Sequence, residues 1–319
     1  MSQELSEQEL QRRSSLSKLR ELGIEPYPAA TFSVSHLAES VKADYIENNH
    51  VKMAGRMMSQ RIMGKASFAE LQDSSGRIQL YINRDELCPG EDKTLYNEVF
   101  KKLLDLGDFI GTEGELFCSQ VGEKTVLVKK FTLLSKALKP LPLPKTDAEG
   151  YTYDEFNDPE MRYRQRYADL VVNPHVKEVF VKRTKLFNAM RQYFNDAGYF
   201  EVETPVLQPI PGGAAAKPFL THHNTLDIDM NLRIATELHL KRLMVGGFEK
   251  VYEMGKLFRN EGISIKHNPE FTTIEIYEAY SDMERMMQIT KDIFSQAAIS
   301  VNGSEIVNYE GVELDFSKM

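Results

Sequence analysis

The sequence predicts an α+β protein with two folded domains, and three observations support this prediction. The chain has 319 residues, which is long enough for two domains of ordinary size. About five short strand-like runs, separated by turn signals, lie between residues 51 and 138. After residue 161 the pattern changes to a long helix followed by further strands, without the regular strand–helix alternation of a βαβ protein.

Residues 1–50 are predicted to form a helical extension. Leucines recur among charged residues with the spacing of an amphipathic helix, and Gly23 and Pro26 end the pattern. Because both signs of charge are mixed there, a helix that packs against the protein is favoured over an arm that binds nucleic acid. The leucines are Leu5, Leu10, Leu16, Leu19 and Leu22.

Residues 51–138 are predicted to form a small closed barrel. The run SFAELQD, the turn at residues 74–76 and the run RIQLYIN have the pattern of a hairpin, and a later turn falls at Gly122. Several short strands in so few residues are typical of an OB-fold. Strand alternation leaves Phe68 outside as an exposed ring and places five residues inside, namely Ala69, Leu71, Ile78, Leu80 and Ile82.

Residues 139–160 are predicted to be a linker, because they contain several prolines and show no periodicity. Within residues 161–319, a long helix is predicted from Val176 to Ala197, with Gly198 as its stop. A strand-like run, YFEVETPVL, follows it. A short helix, ELHLKRLMV, is expected between Thr236 as N-cap and Gly246 as terminator.

Two neighbouring strands, KVYEMGKLFRNE and EFTTIEIYEAY, form the most informative part of the sequence. Alternation gives each strand one apolar face, with Tyr252, Met254 and Phe258 on the first and Ile274, Ile276 and Tyr280 on the second. The opposite faces carry Glu253, Arg259 and Glu261 on the first and Phe271, Glu275 and Tyr277 on the second.

Paired strands would bring these polar faces together as one floor, with His267 in the joining loop above its rim. Arginine grips phosphate, an aromatic ring offers a face to adenine, and a glutamate accepts a hydrogen bond from an exocyclic amine. The pattern therefore predicts a nucleotide site. The alternative is a solvated sheet whose exposed face carries weak surface ion pairs.

Composition limits the other functions. The net charge of −8 disfavours a protein that is covered by nucleic acid, and no apolar run approaches the length of a membrane helix. With two cysteines and no signal-peptide pattern, a cytoplasmic protein is predicted. The two commonest glycine-rich nucleotide motifs are missing. Adjacent His222 and His223 would point to opposite faces of a strand, so no metal site is predicted there.

The segment from Phe258 to Glu275 resembles the second signature motif of class II aminoacyl-tRNA synthetases. The wider text from Ile210 to Tyr280 resembles the bacterial lysyl-tRNA synthetases, as do MRYRQRYADL and the barrel segment GRMMSQRIMGKASFAELQDSSGRIQLYINRD. The resemblance implies an OB-fold anticodon-binding domain at 51–138 and a class II antiparallel-sheet catalytic domain at 161–319. It also implies a homodimer whose interface includes the long helix and the strand with Pro205.

Carried over by position, the resemblance implies an ATP site in this strand pair. Arg259 would be the catalytic residue and would hold the α-phosphate of ATP. Glu261 would contact the adenine amine, and Phe271 would stack on the adenine. His267 would bind the outer phosphates, with Asn268 in the same loop beside it. Magnesium, Mg²⁺, is expected to bridge the phosphates.

The resemblance also implies a site for lysine. Arg259 would bind the carboxylate of lysine, Gly213 and Glu237 its α-amino group, and Tyr277 its ε-ammonium with Glu275 nearby. Acidic residues suit a substrate with two cationic nitrogens. Glu237 as a first-turn helix carboxylate and Gly213 as a plain turn glycine are the structural alternatives.

In the barrel, the resemblance implies that Arg61, Phe68, Gln79 and Glu123 read the anticodon of tRNA-Lys. Stacking a base on a ring such as Phe68 contributes about 1–3 kcal/mol. An isolated surface phenylalanine is the structural alternative.

The implied activity is that of a lysine–tRNA ligase, which makes lysyl-adenylate from lysine and ATP and passes the lysyl group to tRNA-Lys. The sequence ends before the third class II motif of the resembled family and before its expected metal ligands, so this chain alone is expected to be inactive. Two alternatives remain open. One is an aspartyl or asparaginyl enzyme, against which GGAAAKPF, Glu237 and Glu275 argue. The other is a non-catalytic tRNA-binding or regulatory paralogue.

Overall fold

The computed structural model describes residues 5–146, 152–153 and 155–318, so part of the predicted linker, residues 147–151 and 154, lies outside the described residues. Side chains are not described at 145, 146 and 152. The chain divides into two compact units, Met1–Val172 and Asn173–Met319. Each unit is described by itself.

The first unit begins with two helices, α1 (Glu7–Glu21) and α2 (Ala38–Ala43). Ser6 caps α1 through a capping box with Glu9, which fixes where the helix starts. The predicted leucine face is only partly correct, because Leu10 is 54% exposed whereas Leu19 is buried. Leu5 and Leu22 are also exposed.

Arg12 takes the place of a leucine on the buried face of α1. Its guanidinium donates to the carbonyl oxygens of Leu106 and Ala137, both at 3.0 Å. Arginine carries five donors, so carbonyl acceptors can satisfy it in a buried position. The sequence pattern could not show this, because the acceptors lie about a hundred residues away along the chain.

Five strands form a closed barrel: β1 (His50–Met63), β2 (Ala66–Gln72), β3 (Arg77–Asn83), β4 (Phe109–Cys118) and β5 (Lys124–Ser135). They pair in the order β1-β2-β3-β5-β4. This confirms the predicted OB-fold, including the hairpin from SFAELQD to RIQLYIN. A short helix, α3 (Arg84–Leu87), and a π-helical segment, Leu95–Leu103, lie between the third and fourth strands.

The barrel interior follows the predicted alternation. All five residues predicted to face inward are no more than 2% exposed. Tyr96 and Phe100 from the π-helical segment close the same core, with ring centroids 5.9 Å apart. Gly122 has a φ of +84° in the turn between β4 and β5, as a tight turn requires.

The end of the first unit contains short elements. These are β6 (Lys145–Thr146), β7 (Thr152–Tyr153), α4 (Pro159–Arg164) and α5 (Arg166–Val172). Asp169 of α5 is fully buried and forms ion pairs with Arg162 and Arg166. The pair with Arg162 connects α4 to α5, whereas the pair with Arg166 lies within α5.

The second unit starts with the long helix α6 (Pro174–Asp196), close to the range that the sequence predicts. The predicted strand YFEVETPVL divides instead into β8 (Phe200–Glu201) and β9 (Leu207–Gln208), which belong to different sheets. The intervening Thr204 donates from its backbone N–H and hydroxyl to Glu253, which holds the chain away from strand pairing. The remaining elements are β10 (Leu220–His223), β11 (Ile228–Leu232), α7 (Glu237–Val245), β12 (Lys250–Phe258), β13 (Glu270–Glu278), α8 (Met283–Asn302), β14 (Ile306–Tyr309), β15 (Val312–Asp315) and a 3₁₀ turn, Phe316–Lys318.

The central sheet has the order β13-β12-β8, and β12 and β13 are antiparallel. Its apolar face packs on α6 and α8 through Tyr252, Phe194 and Ile289, all 0% exposed. The rings of Phe194 and Tyr252 stack at 4.8 Å. The prediction that Tyr280 belongs to this face is wrong, because Tyr280 follows the end of β13 with a φ of +58° and is 96% exposed.

Candidate functional sites

The register of β12 and β13 brings the predicted polar faces together. Glu253 lies opposite Glu275, and Leu257 lies opposite Phe271. Because opposite residues in an antiparallel pair share a face, the odd-numbered residues of both strands form one floor. The opposite, apolar face is the one packed on the two helices. The predicted pairing of the two strands is therefore confirmed. The placement of Glu261 on the floor is wrong, because Glu261 lies beyond the end of β12 and is exposed.

Arg259 stands at one end of this floor, just after β12. Its backbone N–H donates to the carbonyl of Pro269 at 2.8 Å, and its guanidinium carbon lies 5.2 Å from the centre of the Phe271 ring. Its Nε is buried, and none of the described residues accepts a hydrogen bond from it. A buried donor without a partner is uncommon, and an arginine in that state is suited to a bound anion.

Glu275 and Tyr277 form the acidic end of the floor. One Glu275 oxygen accepts the Tyr277 hydroxyl at 2.9 Å, and the other accepts the Thr236 hydroxyl at 2.6 Å. Burial and the bond to Glu275 raise the pKa of Tyr277, and the negative charge of Glu237 acts in the same direction. Tyr277 is therefore a neutral phenol whose proton points to Glu275, and its oxygen lone pairs can accept a hydrogen bond from an ammonium group.

Thr236 occupies the predicted N-cap position of α7, but its hydroxyl does not cap the helix. The hydroxyl donates to Glu275 instead, which connects the start of α7 to β13. Glu237, the first residue of α7, is consequently held beside the floor. Thr236, which its helix-capping propensity assigns to the N-cap, thus uses its hydroxyl to orient the Glu275 carboxylate.

Gly213 approaches Glu237 closely. Its φ is +86°, and a Cβ added to it would lie 2.9 Å from the Cβ of Ala235 and 3.1 Å from that of Glu237. Both the backbone conformation and the lack of space require glycine. The structure thus brings together Gly213, Glu237, Glu275 and Tyr277 as the sequence analysis expects.

Three residues in the loop beyond the floor are exposed, namely Glu261, His267 and Asn268. Glu261 accepts a hydrogen bond from the backbone N–H of Lys217 at 3.3 Å. His267 Nδ1 is 2.8 Å from the hydroxyl of Ser264 across a tight turn, and Asn268 follows directly. This loop is joined to the floor through Arg259, whose N–H bonds to Pro269.

Sequence reasoning missed a buried ion pair on the floor itself. Arg233 and Glu253 are each 4% exposed and form an ion pair, and Arg233 also donates to the carbonyls of Thr204 and Lys256 at 3.0 and 2.9 Å. Glu253 is therefore buried and paired rather than available to a ligand. The sequence signal for this buried pair is Gly255, because an added Cβ there would lie 2.4 Å from the Arg233 guanidinium.

A second candidate site lies on the barrel of the first unit. A groove of about 1050 Å³ is lined by all four residues predicted to read the anticodon, Arg61, Phe68, Gln79 and Glu123. The pairing of β1 with β2 sets Arg61 directly opposite Phe68, which settles a register that the sequence left open. The structure thus gathers the four residues on one surface.

An aromatic row runs along the groove. The ring centre of Phe68 lies 5.2 Å from that of Tyr81, which in turn lies 5.8 Å from that of Phe117. Phe68 is half-buried, so it is less exposed than the sequence predicts. Tyr81 and Phe117 were not predicted as site residues, because their approach depends on the order of the closed barrel.

Polar groups flank this row. The Thr125 hydroxyl donates to Gln79 Oε1 at 2.9 Å and fixes the orientation of the amide. Glu123 lies 3.6 Å from the ammonium of Lys42 in a half-exposed pair. A groove with rings, an oriented amide and charges of both signs can stack and hydrogen-bond an unpaired base.

Neither a metal-ligand cluster nor a membrane-spanning helix occurs within residues 5–146, 152–153 and 155–318. No three or more His, Cys, Asp or Glu side chains there are grouped to hold a metal ion. His222 instead bonds to Asp229 at 2.9 Å on the neighbouring strand. None of the described helices is long and apolar enough to cross a membrane.

Comparisons with known families agree with this architecture. The profile described as "tRNA synthetases class II (D, K and N)" matches residues 158–319, and the profile described as "OB-fold nucleic acid binding domain" matches residues 51–134. The chain therefore belongs to the class II tRNA synthetases of the D, K and N group. It combines an OB-fold domain with class II catalytic-domain sequence.

The names of individual relatives are more specific than the family profile. The chain is 64% identical over 314 residues to a protein of Christiangramia forsetii named lysine–tRNA ligase. Proteins of the same name from Porphyromonas gingivalis W83 and Thermoanaerobacter sp. X514 are 56% and 52% identical over 318 and 317 residues. These alignments cover 98–99% of this chain but only 55–61% of the relatives. The chain thus spans little more than half the length of the relatives it matches.

Proposed function

We propose that this chain is part of a lysine–tRNA ligase that activates lysine with ATP and transfers it to tRNA-Lys. The observation that carries the proposal is the floor of β12 and β13. It has a buried arginine donor without a partner at one end and two carboxylates around a neutral phenol at the other. The first end suits phosphate and carboxylate groups, and the second suits a cationic amino acid. The three relatives described above carry this enzyme name.

Lysine would lie along the floor with its carboxylate at Arg259. Its α-ammonium would be bound by Glu237 beside Gly213, where the absence of a Cβ leaves room. Its ε-ammonium would donate to the Tyr277 oxygen, which Glu275 orients by accepting the phenolic proton. An ammonium taken out of water requires such acceptors.

ATP would occupy the Arg259 end of the floor. Adenine would stack on Phe271, and Glu261 would accept a hydrogen bond from its exocyclic amine. His267 and Asn268, in the exposed loop between β12 and β13, would approach the phosphates. Arg259 would bind the α-phosphate at the point where it also binds the lysine carboxylate. One guanidinium with five donors can serve both anions.

The reaction needs no protein nucleophile. The lysine carboxylate attacks the α-phosphorus, and pyrophosphate leaves. A ribose hydroxyl of tRNA-Lys then attacks the carbonyl carbon of lysyl-adenylate, and AMP leaves. Arg259 would hold the two reacting anions together and neutralise the charge that develops between them. Mg²⁺ would accompany ATP, with phosphate oxygens as its ligands. The described residues contain no cluster of side chains that would hold the ion.

The barrel groove would bind the anticodon of tRNA-Lys. A base would stack on Phe68, with Gln79, Arg61 and Glu123 reading its edge. The groove is preformed by strand pairing, so little ordering would be needed on binding. We further propose a cytoplasmic homodimer in which α6 contributes to the interface, because Val179 and Val181 on this helix are 64% and 46% exposed.

Arg259→Ala in the full-length protein tests the proposal. Lysine-dependent exchange of pyrophosphate into ATP should fall by at least about 100-fold, because the charged donor shared by both substrates is lost. Lys256→Ala is the matched control, since Lys256 lies on the same strand in an exposed pair with Glu270 at 3.0 Å. Undiminished exchange by the Arg259 variant, or exchange that depends on another amino acid, would refute the proposal.

A further inference from the structure

Lys241 places its own ammonium group in the pocket proposed for lysine. It lies one turn after Glu237 on α7, and its Nζ is 2.5 Å from Glu237 Oε1. The same Nζ is 5.9 Å from the centre of the Tyr277 ring. One cation of the chain thus contacts the carboxylate assigned to the α-ammonium and faces the ring assigned to the ε-ammonium.

The chemistry of this contact matches that of the ligand. Lys241 and a lysine ligand carry the same primary ammonium, with three donors and one positive charge. A carboxylate paired with one ammonium can exchange it for another without being left as an unpaired charge. The aromatic ring adds attraction for either cation.

The pair can also be exchanged easily. The side chains of Lys241 and Glu237 are 55% and 32% exposed, and they have the i, i+4 spacing of an ordinary helix-surface pair. Such pairs contribute little to stability because water solvates both partners. The flexible stem of a lysine lets the ammonium swing away while the helix stays in place.

We propose that Lys241 is a resident stand-in for the α-ammonium of the substrate, which pairs with Glu237 in the empty pocket and is displaced when lysine binds. This inference rests on the proposed function. It assigns Lys241 a role in specificity. A ligand that lacks an α-ammonium gains nothing from Glu237, because the carboxylate is already neutralised by Lys241, whereas lysine replaces one ion pair with another.

The test compares Lys241→Gln with the wild type by calorimetric titration of the full-length protein with L-lysine and with 6-aminohexanoate. The second ligand keeps the carboxylate and the ε-ammonium of lysine but lacks the α-ammonium. The proposal predicts that Lys241→Gln binds L-lysine about two- to fivefold more tightly, the range expected for loss of an exposed competing ion pair. It predicts no such gain for 6-aminohexanoate.

Two further variants control the experiment. Lys241→Arg keeps a cation on Glu237 and should bind L-lysine like the wild type. Lys102→Gln removes a comparable i, i+4 pair with Glu98, at 2.6 Å in the first unit, and should change neither affinity. Thermal melting of each variant confirms that it is folded, and Lys241→Met replaces Lys241→Gln should the latter be unstable.

The outcomes separate the two proposals. A wild type that does not bind L-lysine refutes the proposed function, and this inference with it. A wild type that binds L-lysine, together with a Lys241→Gln variant of equal or weaker affinity, refutes only the stand-in role. An equal gain for both ligands also overturns the inference, because Lys241 would then obstruct the pocket without competing for Glu237.

Discussion

Glu275 shows how a residue assigned to ligand binding can act by orienting another group. Both of its carboxylate oxygens accept hydrogen bonds from side chains of the protein itself, one from Tyr277 and one from Thr236. A carboxylate engaged in this way fixes the direction of the phenolic O–H and leaves the phenol oxygen as the acceptor. We therefore expect Tyr277, rather than Glu275, to contact the ligand.

Phe68 provides a prediction at the scale of one residue. In Phe68→Ala, the affinity for an anticodon stem-loop of tRNA-Lys should fall by about 1–3 kcal/mol, because the stacking surface for one base is lost. The measurement is a fluorescence anisotropy titration at fixed salt, since phosphate contacts make affinity depend on ionic strength.

Phe109→Ala is the control for this measurement. Phe109 is an exposed ring on the same barrel, 38% accessible and 4.2 Å from the Arg56 guanidinium carbon, and it does not line the groove. Its loss should leave the affinity for the stem-loop unchanged. Equal losses in both variants would show that Phe68 acts through barrel stability and not through a base.

The sequence predicted the orientation of single side chains well where the alternation within one strand was enough to determine it. Alternation within β2 and β3 placed Phe68 and Gln79 on the outer surface. Tyr81 and Phe117 could not be recognised as one row with Phe68, because β4 reaches β3 only through β5 in the closed barrel. Arg12 is a second example, since its acceptors come from distant segments.

At the scale of elements, two strand glycines mark close approaches in the barrel. A Cβ on Gly114 would lie 2.0 Å from the carbonyl oxygen of Leu127, and one on Gly55 would lie 2.4 Å from that of Gln72. Both contacts involve backbone atoms, which cannot move aside as side chains do. Gly114 also borders a register shift between β4 and β5, where a bulge increases local twist.

Gly114→Ala should therefore destabilise the barrel by about 2 kcal/mol or more, because the added methyl group forces apart a hydrogen-bonded strand pair. The measurement is urea unfolding of the 319-residue chain, followed by circular dichroism. Gly90→Ala is the control, since a Cβ at Gly90 would meet no atom within 4 Å and its φ is not positive. A Gly114 variant as stable as the Gly90 variant would contradict the close approach.

The sequence predicted which helices and strands exist better than it predicted where they begin and end. The barrel strands, α6 and α7 follow the sequence pattern, since apolar periodicity encodes each of them locally. YFEVETPVL reads as one strand but forms two, because a tertiary contact from Thr204 to the buried Glu253 overrides strand propensity. The candidate floor was predictable, whereas the burial of Glu253 in an ion pair with Arg233 was not, because Arg233 comes from outside both strands.

For the molecule as a whole, its tyrosines offer a pH-dependent readout. The chain has 14 tyrosines and no tryptophan, so tyrosine ionisation dominates its ultraviolet difference spectrum at alkaline pH. Burial and a hydrogen bond to Glu201 raise the pKa of Tyr252 to about 12. The pKa values of Tyr199 and Tyr277 are also raised, in each case by burial and a bonded glutamate, Glu278 or Glu275.

These shifts predict alkaline destabilisation with a definite sign. An unfolded tyrosine ionises near pH 10. Between pH 10 and about 12, the pKa of folded Tyr252, the unfolded chain binds fewer protons than the folded one, so the free energy of unfolding falls as pH rises.

In an absorbance titration at 295 nm, some of the 14 phenols should therefore ionise only as the circular dichroism signal is lost. Urea-unfolded chain should ionise in one step, and Tyr252→Phe should reduce the delayed fraction by one phenol. A single step near pH 10 in the folded protein would contradict the burial of these hydroxyl groups in hydrogen bonds to carboxylates.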